Sequence, residues 1–179
     1  MGIFNSLKSA KINRDFTYVG EGRYWLRIDK CKQDLTRTKI PFVAIDMTVV
    51  AVLPNPDPRG HNVHAVGDEV TRYIGAGDYF DADVAQFLTA VLGCKPEELE
   101  EAQVEAVFDP KGSQPLAGMV VEMNNKTRVV EDKENPTAVK EFSKPRFVRE
   151  VPAAEALKTL PADVIKKFFP GDALTKAAA

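Results

Sequence analysis

Between residues 22 and 53 the chain alternates apolar and polar side chains with a period of two, in two successive runs separated by a short polar turn. In the first run, 22–33, Tyr24, Leu26 and Ile28 alternate with Arg23, Trp25, Arg27 and Asp29. In the second, 40–53, Val43, Ile45, Met47, Val49 and Ala51 share one face, and Phe42, Asp46 and Thr48 share the other. Only an extended backbone sorts residues this way, because successive side chains of a strand point to opposite faces. Two long, half-buried strands follow, joined through 34–39. The next stretch, 54–60, combines Pro54, Pro56, Pro58 and Gly60, which excludes helix and central strand and leaves an exposed loop. A third strand is predicted over 66–74, ending at Gly75-Ala76-Gly77.

The period then changes. Val84, Phe87, Leu88, Val91 and Leu92 fall on one helical stripe, with Asp81 as the predicted N-cap and Gly93 as the stop. Pro96 opens a second, acidic helix carrying Glu97, Glu98, Glu100, Glu101 and Glu105. Two further strands are predicted over 116–130, with Met119, Val121 and Met123 on one side, and over 139–151, where Pro145 marks an edge. The tail, 152–169, reads as a helix in two pieces divided by Pro161. The fold class is therefore mainly β with helices. Three strands, helices and two strands is the order of a five-stranded OB-type barrel, with its helix between strands 3 and 4. The expected organisation is an arm over 1–15, the barrel over 16–151 and a C-terminal helical extension and tail over 152–179.

Bulk properties narrow the function. A net charge of −2 gives no global polyanion-seeking field. Its distribution is uneven, however. Residues 23–39 hold six cations (Arg23, Arg27, Lys30, Lys32, Arg37 and Lys39) against two acids, whereas 97–109 hold six acids and no base. Residues 124–149 hold seven cations, among them Lys126, Arg128, Lys144 and Arg146, against four acids. In an OB barrel the first hairpin and the fourth-to-fifth connection flank one groove, so these basic segments are expected to converge there, with the acidic helix at another end. Trp25, Phe42, Tyr73, Phe142 and Phe147 are interleaved with the cations. Basic side chains that follow a backbone, with rings on which bases stack, make a groove for unpaired nucleic acid. Trp25 is opposite in phase to Leu26 and Ile28. It either faces outward as a stacking platform or packs beneath the helices or the tail.

Nothing calls for an enzyme. His61, His64 and Asp57 lie in the proline-rich loop without a second ligand cluster, so a metal-dependent hydrolase is the weakest of three hypotheses. Gly75-Ala76-Gly77 lacks the third glycine of a dinucleotide fingerprint, and no serine or cysteine stands in a nucleophile elbow. Neither a metal nor a cofactor is expected. Cys31 and Cys94 make no disulfide framework, which fits a reducing, cytoplasmic setting. No segment reaches the roughly 20 apolar residues that span a bilayer, so no membrane partner is expected.

Several motifs carry a resemblance. Gly20-Glu21-Gly22-Arg23-Tyr24 opens the first strand, and Arg37-Thr38-Lys39-Ile40-Pro41-Phe42 turns into the second. The helix from Tyr79-Phe80 to Leu92-Gly93 and the strand Leu116-Ala117-Gly118-Met119-Val120-Val121 complete the set. Their order, over about residues 16–150, resembles phage-encoded single-stranded DNA-binding proteins of OB type. The resemblance implies sequence-nonspecific coating of single strands in phage DNA replication or recombination, in the host cytoplasm. It implies a DNA-contacting face that includes Trp25, Arg27, Lys39, Phe42, Lys126 and Arg128. Many such proteins end in an acidic tail that recruits replication or recombination proteins, whereas this chain ends Leu174-Thr175-Lys176-Ala177-Ala178-Ala179. Leu160, Val164, Ile165 and Phe168 form a stripe instead, which docks on its own barrel or on a neighbour to give a homo-oligomer. The alternative function is a protein-interaction or virion-associated module on the same barrel, without nucleic-acid binding.

Overall fold

The computed structural model describes residues 18–55, 57, 60–131 and 139–171, with side chains throughout except at 128–131 and 139–144. Five strands, β1 (Gly22–Leu35), β2 (Pro41–Leu53), β3 (Glu69–Gly75), β4 (Val120–Glu131) and β5 (Val139–Val151), form one antiparallel sheet in the order β3-β2-β1-β4-β5. Helices α1 (Phe80–Leu92) and α2 (Glu101–Phe108) lie between β3 and β4, and α3 (Ala153–Thr159) and α4 (Ala162–Phe168) follow β5. β1 is the hub. It pairs with β2 from Arg23 to Leu35 and with β4 only from Gly22 to Arg27. Beyond that point its second edge is met by the loop before β4. Ile28 N–H donates to Met119 O, Gly118 N–H to Ile28 O and Cys31 N–H to the Gln114 side-chain oxygen, each at 2.8 Å.

A bulge in β1 explains a break in the pattern. Ile28 faces Met47 but Lys30 faces Asp46, so Asp29 is the extra residue. Before it the even-numbered Tyr24, Leu26 and Ile28 point into the core, and after it the odd-numbered Cys31 does. Lys32 is thereby thrown outward to pair with Asp46. A second irregularity, at Val50 on β2, moves Ala51 off the face it was expected to share with Val49 and onto that of Trp25, its cross-strand partner.

The gap between β3 and β5 is closed by side chains rather than by a strand ladder. α1 packs its Val84, Phe87, Leu88 and Val91 into it, and the Phe87 ring sits 4.7 Å from that of Phe147. Phe147 is thus a core residue. Gln86 stands in for a neighbouring strand, since its amide donates to the Phe147 carbonyl and accepts from the Phe147 N–H. Gln86→Leu should therefore leave both backbone groups of Phe147 unpaired and cost about 1–3 kcal/mol, a loss that urea denaturation would register and whose absence would remove this role. Residues 18–20 close the other side. Tyr18 makes a parallel bridge to Thr71, Asn125 donates to Val19 O at 2.7 Å, and Gly20 N–H donates to His64 Nε2 at 2.7 Å.

Element ends differ from the expected ones for local reasons. β3 starts at Glu69 rather than 66, because Ala65 to Asp68 form a turn bonded to Val49. β4 starts at Val120 rather than 116, because Leu116 turns into the core. α1 begins at Phe80, with Tyr79 at its N-cap, so Asp81 sits in the first turn and does not cap it. Gly93 ends it in the left-handed conformation (φ 64°), with its N–H on Thr89 O. The acidic helix is interrupted. Pro96–Glu98 is a 3₁₀ turn, then Leu99 goes extended (ψ 116°) to pack on the core, and α2 starts at Glu101. The tail breaks at Pro161, as expected.

Candidate nucleic-acid interface

The face of the sheet opposite α1 and α2 divides into three zones. The first lies under the tail. Trp25, Val50, Val120 and Val151 pack with Ala156, Leu160, Val164 and Phe169 of the C-terminal helices. The tail stripe therefore docks on its own sheet. Trp25 is only 4% exposed, so of its two expected placements the one beneath the tail holds, and the implied place on a DNA-contacting face does not. Its phase is outward, but α3 and α4 cover that side. Arg27 is taken up too. It donates to Phe168 O, forms an ion pair with Asp29 at 2.5 Å and lies within 5.9 Å of the Phe168 and Phe169 ring centroids. Arg23 is bound to the buried Glu122, which also meets Arg149, itself paired with Glu155 at 2.7 Å. The chain Arg23–Glu122–Arg149–Glu155 ties β1, β4, β5 and α3 together. Arg149 is held above its usual pKa, first by its hydrogen bond to Glu155, and stays charged. These arginines hold the structure and are committed partners.

The second zone is a polar band. Asp29 accepts from Thr48 at 2.6 Å, and Asp46 accepts from Thr71 and Lys32, both at 2.8 Å. Beneath it, burial raises the Cys31 thiol to about 12, with the Asp46 charge adding to the shift, so this cysteine is neutral and inert near pH 7.

The third zone, nearest the β1–β2 turn, is open. Phe42 of β2 and Tyr73 of β3 are both half-buried, with ring centroids 4.8 Å apart and planes tilted by 31°. Register explains the meeting: Phe42 faces Gly75 and Ala44 faces Tyr73, so the two rings are diagonal neighbours on one face. A Cβ at Gly75 would stand 3.0 Å from the Tyr73 ring, so a larger residue there would push that ring by a few tenths of an ångström. Lys30, Arg37 and Lys39 are exposed along the hairpin and have no carboxylate partner among the described residues. The turn itself is fixed. Thr36 N–H donates to Ile40 O at 2.8 Å, Lys39 N–H to Thr36 O at 2.8 Å, and Lys39 takes the left-handed conformation (φ 61°). Leu35 and Ile40 flank it, 57% and 47% exposed.

The structure thus places Arg37, Lys39, Phe42 and Tyr73 at one end of the hairpin, with Asp34 opposite Phe42, while Lys30 faces Asp46 and Lys32 is bound to it in the polar band. Lys126 and Arg146 are exposed but lie at the other end of β1, since Asn125 faces Gly22 and Arg37 lies beyond Leu35. Register alone does not bring the two basic segments together. Arg128, Phe142 and Lys144 lie outside the described side chains. The acidic α2 packs against β1 on the core side, where its Val107 and Phe108 are buried. His64 is engaged with Gly20 and stands 3.6 Å from Asp68, while His61 is exposed. No grouping of three or more metal-binding side chains occurs among the described residues. No helix among them is long and apolar enough to cross a membrane. The sequence reading missed Tyr18, which the bridge to Thr71 sets beside Tyr73's strand. A lone tyrosine ahead of the first strand carries no periodic signal. No protein-family model matches the chain, and no match is found among curated proteins.

Proposed function

We propose that this chain binds single-stranded DNA without sequence preference, on an OB-type, partly open barrel, with the contact surface at the β1–β2 hairpin end of the β2–β3 face. The observation that carries the reading is the Phe42–Tyr73 ring pair, half-buried on a face that no described helix covers, at the end of the sheet where the β1–β2 turn carries the exposed Arg37 and Lys39, with Asp34 directly opposite Phe42. Rings accept any base, since every base has a π-face, and the cations follow the phosphates. The β2–β3 face and the first loop are where OB-folds hold oligonucleotides. A role in phage DNA replication or recombination rests on the resemblance of the motifs alone.

The test is a fluorescence-anisotropy titration of labelled oligothymidine at two salt concentrations. Two to three phosphates neutralised by Lys30, Arg37 and Lys39 correspond to a log–log salt slope of about −1.4 to −2 for a single strand, so affinity should fall roughly 7- to 20-fold between 50 and 200 mM salt. Binding that ignores salt, or no binding at 50 mM, overturns the reading. The exposed Leu35 and Ile40 at the turn favour a second reading, a protein-interaction module, and that reading then takes its place.

A further inference from the structure

We infer that Tyr18 is a third base-stacking platform, extending the Phe42–Tyr73 pair across the outer edge of β3. The inference rests on the proposed single-strand surface and adds a residue to it. Tyr18 bridges in parallel to Thr71. Laterally paired residues of neighbouring strands point to the same face. Thr71 faces outward, where its hydroxyl bonds Asp46, and Tyr73 shares that face two residues on. The next residue, Val19, turns inward and is buried in the core, as strand alternation requires. Tyr18, Tyr73 and Phe42 therefore belong to one face, and diagonal neighbours across a strand pair stand within reach of aromatic side chains, about 7–8 Å apart.

Tyr18 is 65% exposed although residues 18–20 are each held, Tyr18 by the Thr71 bridge, Val19 by Asn125 on its carbonyl and Gly20 by His64. A large ring so placed adds little to the core. It is already positioned for a partner, so binding costs it little further backbone order. The occupant is an unpaired base rather than an apolar protein segment, because the same face ends at the exposed Arg37 and Lys39, which have no carboxylate partner among the described residues, and a stacked base brings its phosphate with it.

The experiment measures affinity for an oligothymidine length series with the full-length wild-type chain, Tyr18→Ala and Tyr18→Phe, alongside their melting temperatures. Tyr18→Ala should melt with the wild type. It should bind the longer oligomers about tenfold more weakly and lose the gain in affinity that one added nucleotide gives the wild type. Tyr18→Phe, which keeps a ring, should match the wild type at every length. If the wild type binds and Tyr18→Ala follows it at every length, this inference is overturned and the proposed surface stands. If the wild type binds no oligomer, the proposed surface fails and takes the inference with it.

Discussion

Trp25→Ala is expected to destabilise the fold by about 3–5 kcal/mol, the usual cost of emptying a large aromatic site in a packed interior. The indole sits between two layers, on β1 below and against Leu160, Val164 and Phe169 above. Its removal leaves a cavity under two helices of only seven residues each, too short to persist without that face. Trp25→Phe should cost much less. Phenylalanine fills part of the space and removes an indole N–H that has no acceptor among the described residues. Trp25 is the chain's single tryptophan, so its emission reports this layer directly. Native emission should be blue-shifted and shielded from iodide, and the same should hold with saturating oligonucleotide. Chemical denaturation of the two variants measures the rest. A loss below 1 kcal/mol in Trp25→Ala, together with iodide-accessible native emission, would place the ring outside the cover.

How far the sequence disclosed this can be followed along β1. Alternation marked Tyr24, Leu26 and Ile28 as one face and Trp25 as the other, and that division holds in the structure. Alternation does not say what lies over the second face, and Trp25 was open between surface and interior for that reason. The covering stripe, Leu160, Val164 and Phe168, was legible as an amphipathic tail, but its target was a contact between residues more than a hundred positions apart. The bulge at Asp29 left a trace, two charged residues where one was due, yet a bulge also resembles an ordinary strand end. Gln86 gave no sign at all, because a side-chain amide that replaces a strand partner looks like any polar residue on a helix. The candidate surface was partly legible. Phe42, Tyr73 and the hairpin cations were named from aromatic and basic interleaving. Arg23, Trp25 and Arg27 fitted the same pattern and are bound to structural partners, because composition near a strand cannot tell a committed arginine from an available one.

The double substitution Phe42→Ala/Tyr73→Ala is expected to reduce affinity for oligothymidine by at least about 30-fold, because each ring that stacks on a base contributes roughly 1–3 kcal/mol. The two rings touch each other, so the double variant is expected to fall short of the sum of the single ones. Stability should change little by comparison. The pair lies at the end of the sheet, outside both buried clusters, and an aromatic pair of this kind adds about 0.5–1.5 kcal/mol to a fold. The contrast with Trp25 gives the argument its force. One sheet face carries three outward aromatic positions on β1, β2 and β3, and the C-terminal helices cover one of them. If the covered zone holds the fold and the open zone holds the ligand, Trp25→Ala should lower stability, Trp25→Phe should leave affinity in place, and Phe42→Ala/Tyr73→Ala should lower affinity with little change in stability. Isothermal titration and urea denaturation on the same protein preparations separate the two effects. Unchanged binding in the double variant, with a wild type that binds, would move the contact surface away from this face and toward the β4–β5 end, where Lys126 and Arg146 are exposed.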